Sequence, residues 1–201
     1  QSQINKLQDL KKGTMNELLT RGIGHTEFKD SPVGRIPKEW EAVYLENIVS
    51  KITDGEHLSP NCVESGEPIL SAKDIQENNI EIGGAKFVSS KDFVHMRKRC
   101  DPDLGDVLVV SRGATIGRCT LNRLQNPFAL MGSVILIKPE KCKSLGEYLS
   151  YYLKQGIVRN KLLLLSGSSA QQAIYLKDVK DLKIHLPSLE EQQQIASILS
   201  S

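Results

Sequence analysis

The sequence predicts a mixed α/β protein, in which a twisted β-sheet with a covering helix lies between two further helices. Two patterns give this prediction. Short apolar runs separated by Gly, Asn, Asp and Pro occupy the middle of the chain, whereas helical spacing of apolar residues marks both ends. With 201 residues, 39% hydrophobic and 25% charged, the chain has the size and composition of a globular protein with one main domain.

The first predicted element is a helix from Gln3 to about Arg21, which Gly22 and Gly24 bring to an end. Its apolar residues fall near one stripe. The residues of this stripe are Ile4, Leu7, Leu18 and Leu19. Two interpretations stay open, because the stripe either packs on its own domain or forms half of a coiled coil.

A polar connection over residues 22–39, which carries Pro32, Gly34 and Pro37, separates this helix from the middle of the chain and indicates a domain boundary. Short apolar runs then alternate with turn residues, which predicts a mixed or antiparallel sheet. These runs are Val43–Leu45, Pro68–Leu70, Ile80–Ile82, Val107–Val110 and Val134–Ile137.

Helical spacing returns from Leu145 to Leu165 and predicts one helix that covers the sheet. The residues expected on its buried face are Leu149, Tyr152, Leu153, Ile157 and Leu162 or Leu163. A short strand, Leu182–Leu186, follows this helix. Ser188 and Glu191 then form an S-x-x-E capping box, which predicts the start of a last helix.

The last helix carries an apolar face and stops with the chain after about three turns, so we expect a truncated helix. The residues of this face are Ile195, Ile198 and Leu199. We expect this face to be buried together with the stripe of the first helix, either in one chain or between two copies.

Composition limits the function classes. The net charge of +2 permits an acidic partner but requires that any nucleic-acid footprint be local. There is no run of 18 apolar residues and no secretion signal, so we expect a cytoplasmic protein without a membrane span. The four cysteines and four histidines lack metal-ligand spacing, and we therefore expect free thiols and no metal site.

Four segments of the chain resemble, in the same order, conserved segments of type I restriction-modification specificity subunits. They are Leu10–Leu19 (LKKGTMNELL), Gly34–Trp40 (GRIPKEW), Gly105–Gly117 (GDVLVVSRGATIG) and Leu186–Ile195 (LPSLEEQQQI). Each segment alone is a weak signal, but the shared order over nearly the whole chain is specific. The sequence therefore resembles the carboxy-terminal half of such a subunit.

This resemblance implies a target-recognition domain over residues 23–187. The domain lies between the end of a conserved spacer helix, residues 1–22, and the start of a distal conserved helix, residues 188–201. The family pairs these helices antiparallel and recognises specific sequences in double-stranded DNA. The resemblance also implies methyltransferase and restriction subunits as partners of this chain. We expect S-adenosylmethionine, ATP and magnesium to bind to those partner subunits rather than to this chain. A second copy, or the other half of the subunit, is a further expected partner.

Candidate DNA contacts follow from residue chemistry and from the resemblance. Arg112 can form a fork to guanine, Thr115 offers a hydroxyl and a methyl, and the amides of Gln171 and Gln172 can contact adenine. Residues 86–123 hold eight basic and four acidic residues, which favours phosphate contact. The full predicted set is His57, Lys73, Arg97, Lys98, Arg99, Arg112, Thr115, Arg118, Arg123, Ser168, Gln171 and Gln172.

Other interpretations stay open. Each of these positions can also be an ordinary turn, loop or solvated side chain. Asp103, with the Asp178-x-Lys180 triplet, could indicate a nuclease, and two terminal helices would suit a structural scaffold. We expect no catalytic residues in this chain. It lacks the D-P-P-Y-type tetrapeptide of methyltransferases, and no glycine-rich cofactor motif follows a predicted strand.

Overall fold

The computed structural model describes residues 2–165 and 172–201, and in the first helix it describes the side chains of residue 6 and of residues from 9 onward. Six α-helices lie in the described residues. They are α1 (Ser2–Arg21), α2 (Ser90–Arg99), α3 (Gly146–Lys154), α4 (Gly156–Leu165), α5 (Leu176–Lys180) and α6 (Leu189–Ser200).

Twelve short strands complete the described fold, together with 3-10 helices at Leu45–Ile48 and Ala72–Asp74. The strands are β1 (Phe28–Ser31), β2 (Gly34–Pro37), β3 (Glu41–Tyr44), β4 (Val49–Asp54), β5 (Cys62–Val63), β6 (Glu67–Leu70), β7 (Lys86–Val88), β8 (Val107–Val110), β9 (Cys119–Leu121), β10 (Ala129–Leu130), β11 (Val134–Pro139) and β12 (Lys183–Leu186). The mixed α/β class predicted from the sequence is confirmed.

The central sheet has four antiparallel strands in the order β4-β11-β8-β9. Strand β11 lies inside it, so that Ile135 is paired with Asp54 on one side and with Val109 on the other. Every residue of β8 is buried, and its side chains alternate between two hydrophobic clusters on opposite faces of the sheet. Burial on both faces explains why this strand reads as an uninterrupted apolar run.

Helices cover one face of the central sheet and a second sheet covers the other. Val109 and Ile135 share one cluster with Tyr148 and Leu149 of α3. On the opposite face, residues of β8 and β11 pack against Leu70, Phe128 and Leu130. The second sheet has the order β10-β6-β7-β5, in which β10 and β6 are parallel and the other pairs are antiparallel.

Two predictions about the strands were wrong. The connection over residues 22–39 contains an antiparallel hairpin, β1–β2, because Gly34 turns the chain at a φ of 107°. The run Ile80–Ile82 is not a strand, since Ile80 forms only an isolated bridge with Ile75.

Helix α2 was not predicted, because its residues were considered only as a basic run. Its start has a local signal, since Ser89 caps the helix by accepting a hydrogen bond from the backbone N–H of Asp92 at 3.2 Å.

The single helix predicted from Leu145 to Leu165 is divided into α3 and α4. Gln155 has extended backbone, with ψ at 132°, and the second helix begins at Gly156. Because the helical period does not continue through this break, Ile157 is 74% exposed instead of buried. Leu162 is buried as predicted.

The two terminal helices meet within one chain. Leu19 of α1 is buried in the same hydrophobic cluster as Ile195 and Leu199 of α6, and Leu18 packs against this cluster. Ile198 is 46% exposed and so is only in part a member of the predicted face. The remaining predicted members, Ile4 and Leu7, have side chains outside the described residues.

The Glu191 carboxylate, which is only 14% exposed, connects α6 to the segment that follows α1. Ser188 caps α6 as predicted, because its hydroxyl accepts the backbone N–H of Glu191 at 3.2 Å. The Glu191 side chain does not complete a capping box; it accepts from the Ile23 backbone N–H at 3.0 Å and from the Trp40 indole N–H at 2.8 Å. It also pairs with the His25 imidazole at 2.8 Å.

We predict that Glu191→Ala lowers the free energy of unfolding by about 3 kcal/mol, because it removes charge-assisted hydrogen bonds and leaves the buried Trp40 N–H without an acceptor. Urea denaturation measures this change. Glu190→Ala is the matched control, since Glu190 lies in the same helical turn but is exposed. Equal stability of the two variants would contradict the role assigned to Glu191.

Candidate nucleic-acid interface

One edge of the central sheet gathers the loops that carry the predicted DNA contacts. Because the strands are antiparallel, β4 and β8 end at the edge where β9 and β11 begin. The segments that meet at this edge are residues 55–57, 111–117, 131–133 and 172–174. We call this set the loop edge.

Backbone hydrogen bonds fix the first pair of segments. The Glu56 N–H donates to the Leu130 carbonyl at 2.8 Å, and the Gly132 N–H donates to the Glu56 carbonyl at 2.7 Å. Gly55 is needed here because a side chain at this position would collide with the Leu130 carbonyl. The short loop after β4 is therefore held against the segment that leads into β11.

The turn after β8 is fixed to its neighbours in the same way. The Ser111 N–H donates to the Ser133 carbonyl at 2.9 Å, and the Ser111 carbonyl accepts from the Ile174 N–H at 2.9 Å. Arg112 and Ala173 thus form an isolated antiparallel bridge. Two segments that lie about sixty residues apart in the sequence, and that were predicted independently to contact DNA, are neighbours in the structure.

Three predicted base contacts therefore come together on the loop edge. Arg112 and Gln172 are exposed, and Thr115 is half-buried. Within the described ranges the guanidinium of Arg112 forms no hydrogen bond or ion pair, which leaves all of its donors available. Ser168 and Gln171, which were predicted from the same polar stretch as Gln172, lie outside the described residues.

Asp54, the last residue of β4, joins two further predicted contacts at this edge. One carboxylate oxygen, Oδ2, lies 2.8 Å from Nε2 of His57, and the other, Oδ1, accepts from Nη2 of Arg99 at the end of α2. The Arg99 side chain is 54% exposed, and within the described residues its other guanidinium donors form no hydrogen bond. The side chains of His57 and Arg99 therefore both present polar groups at the loop edge.

A groove of about 390 Å³ adjoins the loop edge and contains Lys73. The Lys73 ammonium donates to the Gly84 carbonyl at 2.9 Å, and its side chain is 60% exposed. The side chains around the groove include Ser59, Cys62, Ser71, Lys73, Lys86 and Met131. Asp74 also lines the groove, with Oδ1 3.9 Å from the Lys73 ammonium, so two lysines against one carboxylate leave the groove a net positive charge.

Two predicted phosphate contacts instead have internal partners. Arg97 donates to the carbonyls of Pro102 at 3.1 Å and Phe128 at 2.8 Å, and its side chain is only 19% exposed. Arg118 donates to the Ile75 carbonyl at 3.1 Å and to the Gln76 amide oxygen at 2.7 Å. Both arginines therefore connect loops within the fold, and DNA contact by either one stays a prediction.

Lys98 and Arg123 do not lie on the loop edge. Lys98 is exposed on α2, beside Arg99 in sequence. Arg123 is exposed two residues after the end of β9, and Leu121 there pairs with Val107 at the opposite edge of the central sheet. The basic window seen in the sequence is therefore divided between two edges of the fold.

The aspartates of the nuclease hypothesis have structural partners. Lys138 donates to Asp103 at 2.7 Å and to Asp106 at 2.8 Å. Burial lowers the pKa of Lys138, but its hydrogen bonds to these two carboxylates outweigh burial and raise that pKa above the usual value. Asp178 accepts from the Tyr175 N–H at 3.1 Å and so caps α5.

The described ranges contain no group of three or more His, Cys, Asp or Glu side chains placed to hold a metal ion. Each helix in these ranges is too short or too polar to span a lipid bilayer. The Cys100 and Cys119 thiols are buried, and burial raises the pKa of each to about 12.

Two residues of the interface were missed in the sequence. Arg159 of α4 donates to the Ile116 carbonyl at 3.1 Å, and its aliphatic part lies against Gly117, so α4 supports the turn after β8. No sequence pattern marks this residue. Asp54 stands three residues before the predicted contact His57, and this short spacing of a carboxylate from an imidazole was the available signal.

Known proteins with related sequences fall in one family. A family model described as the type I restriction modification DNA specificity domain matches residues 37–201. The putative type I restriction enzyme MjaX specificity subunit of Methanocaldococcus jannaschii is 31% identical over 180 residues, which are 86% of this chain and 41% of the relative. The MjaVIII specificity subunit of the same organism is 31% identical over 208 residues, which are 99% of this chain and 48% of that subunit.

Solved structures share the fold. The crystal structure of the HsdS subunit from Thermoanaerobacter tengcongensis superimposes with a TM-score of 0.69 at 20% identity, covering 98% of this chain and 43% of that one. A chain from a study of complex assembly and conformational transition in the type I R-M system gives a TM-score of 0.71 at 21% identity, covering 98% and 44%. The chain spans less than half the length of these relatives. It belongs to the family of type I restriction modification DNA specificity domains.

Proposed function

We propose that the chain recognises a specific sequence in duplex DNA, as the target-recognition half of a type I restriction-modification specificity subunit. The observation that carries this proposal is the backbone pairing of Arg112 with Ala173 and of Glu56 with Met131. These bridges place separate loops side by side at one sheet edge and leave polar side chains exposed there. Family membership supplies the class of ligand.

The roles of the loop-edge residues follow from their chemistry. Arg112 has a guanidinium that can donate two hydrogen bonds to O6 and N7 of guanine, and the Gln172 amide can donate to and accept from adenine. Arg99 and Lys73 keep exposed cationic groups that suit phosphate oxygens. Base contacts would thus come from residues 111–117 and from Gln172 beside them. Phosphate contacts would come from Arg99 and Lys73.

The same proposal assigns catalysis to partner subunits. In this arrangement the chain binds no cofactor, and S-adenosylmethionine, ATP and magnesium belong to methyltransferase and restriction subunits that dock on it. The exposed part of α1, including Leu10 at 67% exposure, and Ile198 of α6 leave apolar surface for a second half of the subunit. A cytoplasmic location agrees with this role.

We predict that the protein binds duplex DNA with an affinity that falls steeply as salt rises, because phosphate contacts release counterions. Titration of a labelled duplex, selected from a random-sequence pool with the unmodified protein, at two salt concentrations measures this fall. Arg112→Ala should weaken binding about tenfold, whereas Arg123→Ala, which removes an exposed arginine from the opposite edge, should have little effect. Equal losses in both variants, or binding that ignores salt, would count against the loop edge.

Cysteine alkylation provides a footprint of the bound surface. Cys62 is exposed in the groove beside the loop edge, whereas Cys142 is exposed at the opposite edge of the central sheet. Cys100 and Cys119 stay protonated at neutral pH and should react slowly. We predict that duplex DNA slows the alkylation of Cys62 by iodoacetamide and leaves that of Cys142 unchanged, as read by peptide mass spectrometry. Protection of Cys142 instead would place the DNA elsewhere.

We further predict that the purified chain neither cuts nor methylates DNA in the presence of magnesium or S-adenosylmethionine, because Asp103 and Asp178 have structural partners. Gel and methyl-transfer assays measure these activities. A nuclease activity that copurifies with the chain and is lost in Asp103→Ala or Asp178→Ala would overturn this assignment.

A further inference from the structure

We infer that Asp54 fixes the tautomer of His57, so that Nδ1 of His57 acts as a hydrogen-bond acceptor for the exocyclic amino group of adenine or cytosine. Asp54 is then a positioning residue for base specificity and does not itself contact DNA. This inference rests on the proposed function, because it assigns one base contact within the loop edge.

The contact between Asp54 and His57 determines where the imidazole proton lies. Oδ2 of Asp54 is 2.8 Å from Nε2 of His57, and a carboxylate oxygen only accepts hydrogen bonds. Nε2 therefore carries the proton, and in the neutral ring Nδ1 carries a lone pair. The other oxygen, Oδ1, accepts from Arg99, which holds the carboxylate in place. The Asp54 side chain is only 13% exposed, so water competes weakly for it.

Gly132 leaves the space that the His57 ring occupies. A Cβ at this position would lie 2.6 Å from Nδ1 of His57 and 2.8 Å from Cε1, so any side chain would displace the ring. The hydrogen bond from the Gly132 N–H to the Glu56 carbonyl holds Gly132 close to the His57 ring. Nδ1 accepts no hydrogen bond from any residue in the described ranges, and the His57 side chain is 40% exposed.

An acceptor nitrogen distinguishes bases by the groups that they present in the major groove. Adenine N6 and cytosine N4 carry the donors in that groove, whereas guanine O6 and N7 and thymine O4 are acceptors. His57 in this tautomer therefore favours adenine or cytosine at one position and disfavours guanine or thymine. Arg99 can bind a neighbouring phosphate with its remaining donors while Asp54 still holds it.

Asp54→Asn tests this inference because it should reverse the hydrogen-bonding polarity of His57. Arginine only donates, so the amide oxygen of the new side chain would face Arg99 and its NH₂ group would face His57. Nε2 must then accept, and the proton moves to Nδ1. The matched control is Asp101→Asn, which removes another carboxylate that bonds a cation, Lys51 at 2.6 Å, without touching His57.

The tautomer is measured first, in the absence of DNA, by the ¹⁵N chemical shifts of the His57 ring in the whole chain. We expect a protonated Nε2 in the unmodified protein and in Asp101→Asn, and a protonated Nδ1 in Asp54→Asn. A protonated Nδ1 in the unmodified protein, or no change in Asp54→Asn, would overturn the inference whether or not the protein binds DNA.

Base preference is measured next, by selecting duplexes from a random-sequence pool with each variant. We expect one position to change from adenine or cytosine to guanine or thymine in Asp54→Asn, with discrimination of about tenfold in each direction, while all other positions persist. His57→Ala should lose preference at that same position alone. If the tautomer reverses but the selected sequence does not, His57 reads no base and the inference fails while the proposed function stands. If the unmodified protein selects no sequence, both fail.

Discussion

The position of β11 between β4 and β8 is the constraint on which the candidate interface depends. Because these strands are antiparallel, their registers bring the end of β4, the end of β8 and the start of β11 to one edge. Both faces of β11 are packed, against helices on one side and a second sheet on the other, so its register is strongly specified. A shift of one residue would exchange the two hydrophobic faces and move every loop.

At this edge the backbone holds the loops in place, whereas polar side chains such as that of Arg112 are unpaired within the described residues. Main-chain hydrogen bonds between residues 55–57 and 130–132, and between residues 111–112 and 173–174, satisfy the groups that a loop would otherwise leave to water. Side chains such as those of Arg112 and Gln172 are then not needed to hold the loops. A fixed loop backbone with unpaired polar side chains suits sequence recognition, because only the side chains, and not the loops, must be ordered on binding.

The sequence predicted the elements that depend on a local residue pattern. It did not predict features that depend on tertiary contacts between residues distant in the chain. Val107–Val110 reads as a buried strand, and that strand is present with the same bounds. The local charge density predicted phosphate contacts at Arg97 and Arg118, but it could not show their internal acceptors, which are carbonyl and amide oxygens distant in sequence. Ile157 was misplaced because one extended residue ended the helical period. The pairing of Arg112 with Ala173 is a tertiary contact that no spacing in the chain indicates.

Polar contacts, in addition to the apolar stripes, connect the terminal helices to the recognition domain. His185 of β12 places Nδ1 2.9 Å from the Leu19 carbonyl and Nε2 3.2 Å from the Val33 carbonyl, which ties the last turn of α1 and the β1–β2 hairpin to one strand. Glu191 makes the corresponding connection from α6 through Trp40. Hydrogen bonds are directional, unlike apolar contacts, and so fix the angle of a helix as well as its burial. The orientation of the loop edge relative to both helices is thereby set within this chain, and in the proposed subunit that orientation would decide where its half of the target lies.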